Sequence, residues 1–258
     1  MAKTALVTGA SAGIGMELAR YHARKGGNLV LTARRADALN ALKEELEAAY
    51  KITAHVFPLD LGAEGGAQEV YDQVKAAGLQ VDILINNAGF GGHGKHIERD
   101  LATEHAMIDL NVKALVTLTH LFAADMVAQG GGKILNVGST VGFLPGPQQA
   151  VYFATKAFVN SFSQAIDQEL RDKKVTCTVL APGYVETEFA EVANLEGTRF
   201  LKSGGAKAKD VAKIGYDAMR RGELIAINEG RLSFLLNWLV PLMPRRTLLR
   251  VIDAAQSK

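Results

Sequence analysis

The sequence predicts an α/β fold: a doubly wound, seven-stranded parallel sheet with helices on both faces. Two observations carry the prediction. Short apolar, β-branched runs alternate along the chain with longer segments of helical periodicity. The first of these runs ends in a glycine-rich turn, Gly9-Ala10-Ser11-Ala12-Gly13-Ile14-Gly15, that opens a periodic helix. A chain of 258 residues suffices for one α/β domain with an ample core. No Pro/Ser-rich hinge, repeat or low-complexity tract divides it, so residues 1–258 are expected to form a single domain.

The elements follow in order. Thr4 to Thr8 is a β-branched strand, and Ile14, Leu18, Ala19 and His22 recur at helical spacing after it. Further strand-like runs are Asn28 to Thr32, Ile52 to Phe57, Asp82 to Ile85, Lys133 to Val137, Val175 to Leu180 and Glu223 to Ile227. Between them lie the helical patterns Asp37 to Tyr50, Gly66 to Ala77, Glu104 to Ala128, Ala150 to Arg171 and Lys209 to Arg221. Strands separated by helices argue for parallel pairing, with both faces covered. A ligand crevice then belongs at the carboxyl ends of the strands.

Composition narrows the function classes. A net charge of +2 gives no electrostatic footprint for nucleic acid, so none is expected as a partner. Cys177, the only cysteine, lies in an apolar strand; it excludes disulfides within the chain and reads as core filling in a reducing compartment. Met1-Ala2-Lys3 runs directly into the first strand without a signal-peptide pattern, and the apolar stretch Leu232 to Met243 is too short to span a bilayer. A cytoplasmic protein is the expectation.

The glycine-rich turn has a physical purpose. Strand, turn and helix together present backbone N–H groups and a helix N-terminus to a pyrophosphate. Gly9 permits the tight turn, Gly13 lets a ligand approach the backbone, and Gly15 lets helix and strand pack closely. The spacing is Gly-x-x-x-Gly-x-Gly, which differs from the common Gly-x-Gly-x-x-Gly fingerprint.

A second constellation carries chemistry. Tyr152 and Lys156 are four residues apart, hence on one helical face, and Ser139 lies thirteen residues before Tyr152. A phenol of pKa ~10 is a poor acid or base at neutral pH. A fixed ammonium beside it favours the phenolate and is expected to pull the pKa down. Taken alone, such a pair is an ordinary feature of solvated helices.

Three further landmarks line up with it. Asn86-Asn87-Ala88-Gly89 follows the fourth strand, Asn111 lies within a long helix, and Pro182-Gly183 follows the sixth strand and leads to Val185-Glu186-Thr187. With Thr8-Gly9-x-x-x-Gly13-x-Gly15, Ser139 and Tyr152-x-x-x-Lys156, these motifs resemble the short-chain dehydrogenase/reductase family in order and spacing, from residue 4 to about residue 227. The resemblance implies a Rossmann-type dinucleotide-binding domain. It implies that Tyr152 exchanges a proton with the substrate carbonyl oxygen and that Ser139 orients the same oxygen. Lys156 would lower the tyrosine pKa and contact the nicotinamide ribose, and Asn111 would hold a water linking Lys156 to solvent. Gly9, Ser11, Gly13, Ile14, Gly15, Asn87, Ala88, Gly89, Pro182, Gly183, Val185 and Thr187 would line the cofactor site, with Asp60-Leu61 beside the adenine. Thr140 is a rival hydroxyl, but only Ser139 has the family's separation from Tyr152. Hydride transfer between a nicotinamide and a carbonyl or alcohol is the implied reaction, with a small-molecule substrate and a homo-oligomeric assembly. A nucleotide-binding sensor or scaffold with little turnover is the alternative; it has no need of a proton donor.

The second strand suggests the cofactor. An NAD enzyme places an acid about 20 residues after the glycine loop, to bond the ribose hydroxyls. Here the strand ends Leu31-Thr32-Ala33-Arg34-Arg35, without an acid. An arginine pairs with a 2′-phosphate that an acid would repel. NADP(H) is therefore expected over NAD(H), with Arg34 the first phosphate contact, Arg35 the next, and Ser11 a hydroxyl donor.

Three segments go beyond the family pattern. Phe90-Gly91-Gly92-His93-Gly94-Lys95-His96 holds a His-x-x-His pair with no acidic or cysteine partner nearby in sequence, so no metal site is expected. Residues 183–209 lack strand patterning and read as a mobile substrate lid. The tail over residues 231–258 is apolar and then basic at Arg245, Arg246 and Arg250. It suits closure over an apolar pocket or a subunit contact better than a membrane surface, because Pro241 and Pro244 interrupt any continuous amphipathic helix. Phe143, Leu144, Phe189, Phe200 and Leu201 are candidate apolar lining for the cleft, which would favour a hydrophobic carbonyl or alcohol.

Overall fold

Strand β1 (Thr4–Thr8) runs through the middle of the sheet, and Ala5 to Thr8 are all buried. The computed structural model describes residues 2–199, 201 and 204–258. The remaining strands are β2 (Asn28–Thr32), β3 (Ala54–Phe57), β4 (Ile83–Asn86), β5 (Gly132–Val137), β6 (Val175–Leu180), β7 (Val185–Glu186), β8 (Ala206–Lys207) and β9 (Ile225–Ala226). Seven of them form one parallel sheet in the order β3-β2-β1-β4-β5-β6-β9. The chain steps outward from β1 to β3, then returns to the far side of β1 with β4. That reversal opens a crevice at the carboxyl ends of β1 and β4.

Side chains alternate across the sheet with period two. Ala5, Val7, Leu29, Leu31, Ile83 and Ile85 pack under α1 (Gly13–Arg24), α2 (Ala36–Tyr50) and α8 (Ala208–Arg221). Leu6, Val30, Leu84 and Ile134 face the other way, onto α3 (Gly66–Ala76) and α5 (Leu115–Ala128), while Val179 meets Val159 of α6 (Ala150–Leu170). Cys177 is a free, buried thiol in this second layer, and burial pushes its pKa up to about 12.

The expected strands and helices are present with small shifts at their ends. Ile52 and Thr53 precede β3. Asp82 stands before β4, where its carboxylate accepts from the Thr4 amide at 2.8 Å. The expected continuous helix from Glu104 instead begins at Leu101, behind an Asp100 cap that accepts from Thr103 N at 2.9 Å. Its first part, α4 (Leu101–Ile108), passes into α5 through a widened π turn over Asp109–Ala114. The run from Leu101 to Ala128 is long and apolar enough to cross a bilayer by composition, yet Leu118, Phe122 and Met126 bury against Leu84 and Ile134 of the sheet.

Two segments depart from expectation. The lid region does contain strands, because β7 and β8 pair in parallel outside the main sheet, followed and preceded by other lid residues such as α7 (Phe189–Val192). Two-residue strands are too short to leave a periodic trace in a sequence. The tail folds as α9 (Gly230–Phe234), a wide turn over Leu235–Leu239, a tight turn over Val240–Leu242 and α10 (Arg245–Gln256). Pro241 and Pro244 mark two of these breaks. Leu236, Val240, Leu248 and Ile252 pack into one cluster with Met107, Val141, Tyr152 and Phe153.

Candidate active site

The first strand's end and the fourth strand's loop are locked by one hydroxyl. Thr8 Oγ1 accepts from the amides of Asn87 and Ala88, both at 2.9 Å, while Asn87 Nδ2 donates to the carbonyls of Thr8 at 3.0 Å and Gly9 at 3.2 Å. Gly9 and Gly13 adopt left-handed φ values of 63° and 54°, and a methyl group on Gly15 would overlap the Gly9 carbonyl. The turn therefore stays open to a ligand. Asn86 faces inward instead, donating to Thr119 Oγ1 at 3.1 Å and Asn136 Oδ1 at 2.9 Å inside the sheet.

One cleft collects every residue that the sequence singled out for catalysis or cofactor binding except Gly15 and Asn111. Gly15 lies behind the loop that it allows to close. Asn111 acts as a brace: Nδ2 donates to Phe90 O at 2.9 Å and Thr155 Oγ1 at 3.1 Å, and Oδ1 accepts from Phe90 N at 3.1 Å. The π turn places it there, a local geometry that recurs at functional positions.

Tyr152, Lys156 and Ser139 are all buried at the cleft, with Tyr152 8% exposed. The Tyr152 ring packs against Phe189 at 5.3 Å between centroids. Lys156 Nζ lies 5.9 Å from the centre of that ring and donates to Val137 O at 2.8 Å. Burial brings the ammonium down to a pKa of about 8. The expected depression of the tyrosine pKa is not found. Burial raises it, and only the neighbouring Ser139 hydroxyl opposes the rise. The physical reason is that desolvation of a phenolate outweighs an ammonium already committed to a strand-end carbonyl.

The two neighbouring hydroxyls share an acceptor but not a position. Thr140 Oγ1 donates to Pro182 O at 3.1 Å and does not line the cleft, whereas Ser139 Oγ donates to the same carbonyl at 3.3 Å, accepts from Val141 N at 3.3 Å and lines the cleft.

Arg34 and Arg35 both reach the cleft from the end of β2 and play different parts. Arg35 donates to Ser11 Oγ at 3.3 Å and Ser11 O at 3.2 Å, and pairs with Glu188 of the lid at 3.1 Å. Arg34 is 79% exposed and stands 3.9 Å from Asp60. Neither Glu188 nor its ion pair was legible in the sequence. A salt bridge between residues 153 positions apart leaves no local signal.

The apolar lining also differs in part. Phe189 lines the cleft, joined by Phe90, Val141, Tyr184, Val192 and Leu195, with Gln149 as an added polar group. Phe143 and Leu144 pack instead into the cluster beside Tyr152, and Leu201 packs on Ala190, Ala193 and Leu195. Phe200 lies outside the described residues.

The histidine loop has an acidic partner after all. His96 Nδ1 is 3.3 Å from Glu104, eight residues on, and Glu104 also pairs with Arg99. His93 Nε2 bonds Gln256 O at 2.8 Å. Among the described residues no three metal-ligating side chains converge.

The family model for short chain dehydrogenases matches residues 3–196. The chain belongs to the short-chain dehydrogenase/reductase family. It is 39% identical over 194 residues to sulfoacetaldehyde reductase 2 of Chromohalobacter salexigens, covering 74% of this chain and 76% of that protein. Its fold matches the short-chain dehydrogenase from Sphingobium yanoikuyae in complex with NADPH, with a TM-score of 0.85 and 30% identity over 99% of this chain and 98% of that one. A family member from Burkholderia phymatum in complex with NAD matches with a TM-score of 0.82 and 26% identity, over 91% and 92% of the two chains. As a short-chain dehydrogenase/reductase, the protein is an oxidoreductase on a Rossmann-type sheet.

Proposed function

We propose that the protein is an NADP(H)-dependent carbonyl reductase for an apolar ketone or aldehyde, with Tyr152 as general acid and base. The observation that carries this reading is the shared cleft: buried Tyr152, Ser139 and Lys156 follow β5, and an open glycine loop with two arginines follows β1 and β2. β2 and β5 are three strand positions apart, or about 14 Å at the usual inter-strand spacing. That separation suits a dinucleotide with its phosphate-bearing ribose at Arg35 and its reactive ring by Tyr152.

The residues fit such a cofactor. Gly9 and Gly13 hold the left-handed turn that leads into α1, whose first-turn N–H groups have no intrahelical acceptor and suit phosphate oxygens, and Arg35 with Ser11 offers charge-assisted donors for a 2′-phosphate. No acid stands at the end of β2 to bond free ribose hydroxyls. NADPH, when bound, supplies a hydride to the carbonyl carbon.

The rest falls to this chain. Ser139 turns its hydroxyl to the substrate oxygen and holds it beside the phenol. Tyr152, kept protonated by burial, donates its proton to that oxygen as negative charge develops. Lys156, with a pKa of about 8, is charged at neutral pH and returns a proton to the site. Phe90, Val141, Phe189 and Leu195 exclude water and favour an apolar substrate body. A buried phenol and amine of this kind have no part in a nucleotide sensor, which weighs against that alternative.

The test is Tyr152→Phe, assayed with NADPH and a panel of apolar ketones and aldehydes. Turnover should fall by ~10²–10⁴ while NADPH still binds. Undiminished turnover would remove Tyr152 from the chemistry.

A further inference from the structure

The C-terminal segment is apolar on two opposite faces, and only one of them is covered. Leu236 and Val240 bury in the cluster with Met107, Val141 and Phe153. Leu235, Trp238, Leu239 and Leu242 fall at i, i+3, i+4 and i+7 and are exposed, Trp238 at 67% and Leu242 at 81%. Phe234 adds an exposed ring at the head of the stripe. Single exposed apolar side chains are ordinary, but a stripe of five marks a contact surface.

The following helix supplies the charge. α10 buries Leu248, Ile252 and Gln256 and leaves Arg245, Arg246 and Arg250 exposed. Arg246 and Arg250 share one turn-to-turn row, and none of the three arginines has an ion-pair partner among the described residues. Asp253, the one acid of the helix, is engaged by Gln148 Nε2 at 2.8 Å.

We propose that this face docks on an anionic lipid bilayer. The leucines and Trp238 would enter the boundary between headgroups and acyl chains, with the arginines on lipid phosphates. The prolines that break the segment do not oppose this. Each short piece is already held by its buried side chains, so the outer stripe needs no folding on contact. A second copy of the chain is the competing occupant. A two-fold contact through this tail would bring two positively charged tails together with no free acid of α10 to answer them, which disfavours it.

Trp238 is the only tryptophan in the chain, so its emission reports on the patch alone. The full chain is mixed with phosphatidylcholine vesicles and with phosphatidylcholine–phosphatidylglycerol vesicles. The expected result is cosedimentation and a blue shift of Trp238 emission with the anionic vesicles, both weakening as salt is added. Arg246→Gln and Arg250→Gln should each reduce the affinity by about five-fold. Leu239→Ser with Leu242→Ser should abolish binding while the melting temperature is retained, because both side chains are exposed. Absence of binding to anionic vesicles would overturn the proposal. So would equal binding to both vesicle types, or dissociation of a homo-oligomer by the leucine substitutions.

Discussion

Lys156 Nζ stands 5.9 Å from the centre of the Tyr152 ring and gives its hydrogen bond to Val137 O at 2.8 Å. Burial favours the neutral form of both groups, raising the phenol and lowering the amine to about 8. Lys156 is thus charged below about pH 8 and neutral above it. Carbonyl reduction, which consumes a proton, should decline as pH rises through about 8, and alcohol oxidation should rise through the same window. Lys156→Arg, which stays charged throughout, should remove the decline. Profiles of kcat/KM against pH for both directions check this.

Ser139 and Thr140 are adjacent hydroxyls, and only one of them faces the cleft. Both donate to Pro182 O, at 3.3 and 3.1 Å, but Ser139 alone lines the cleft beside Tyr152. Ser139→Ala should lower kcat by ~10²–10³ and, because the hydroxyl also caps the turn at Val141 N, cost about 1 kcal/mol of stability. Thr140→Ala should leave kcat nearly intact and cost about 1 kcal/mol in denaturant unfolding.

At the other end of the cleft, Arg35 is shared between Ser11 and Glu188. Arg35→Ala should weaken NADPH binding by about ten-fold and leave NADH binding unchanged. Arg34→Ala should act in the same direction. Glu188→Gln, which frees Arg35 from a competing carboxylate, should tighten NADPH modestly, because an exposed pair contributes only about 0–1 kcal/mol. Titrations with both cofactors separate these outcomes.

Asn111 joins the widened turn between α4 and α5 to the loop at Phe90 and to Thr155. Asn111→Ala leaves the half-buried backbone N–H and C=O of Phe90, and the buried Thr155 hydroxyl, without those partners. A loss of about 2–3 kcal/mol is expected in denaturant unfolding, with lower kcat as the loop beside Tyr152 loosens.

Much of this architecture could be read from the chain before its fold was known. The strands show as β-branched runs, and the glycine loop, Ser139, Tyr152 and Lys156 are fixed by spacing that survives in one dimension. Four features escaped for physical reasons. The pKa direction of Tyr152 depends on how far it is buried, which spacing does not encode. The Arg35–Glu188 pair and the Gln149 side chain that meets Gln256 at 2.6 Å join residues distant in sequence. The π turn coincides with a buried Asn111 amide that bonds Phe90 and Thr155 together, a tertiary arrangement that leaves no trace in helical periodicity.

Thermal melting with NADPH and, separately, NADH tests the central claim most directly. A ligand that binds only the folded state raises the melting temperature by mass action. At one hundred times its dissociation constant, NADPH should raise the midpoint by roughly 5–10 °C. The same concentration of NADH should produce a clearly smaller rise. An equal or larger rise with NADH would contradict the NADP(H) assignment, and no rise with either would contradict the oxidoreductase reading of this cleft.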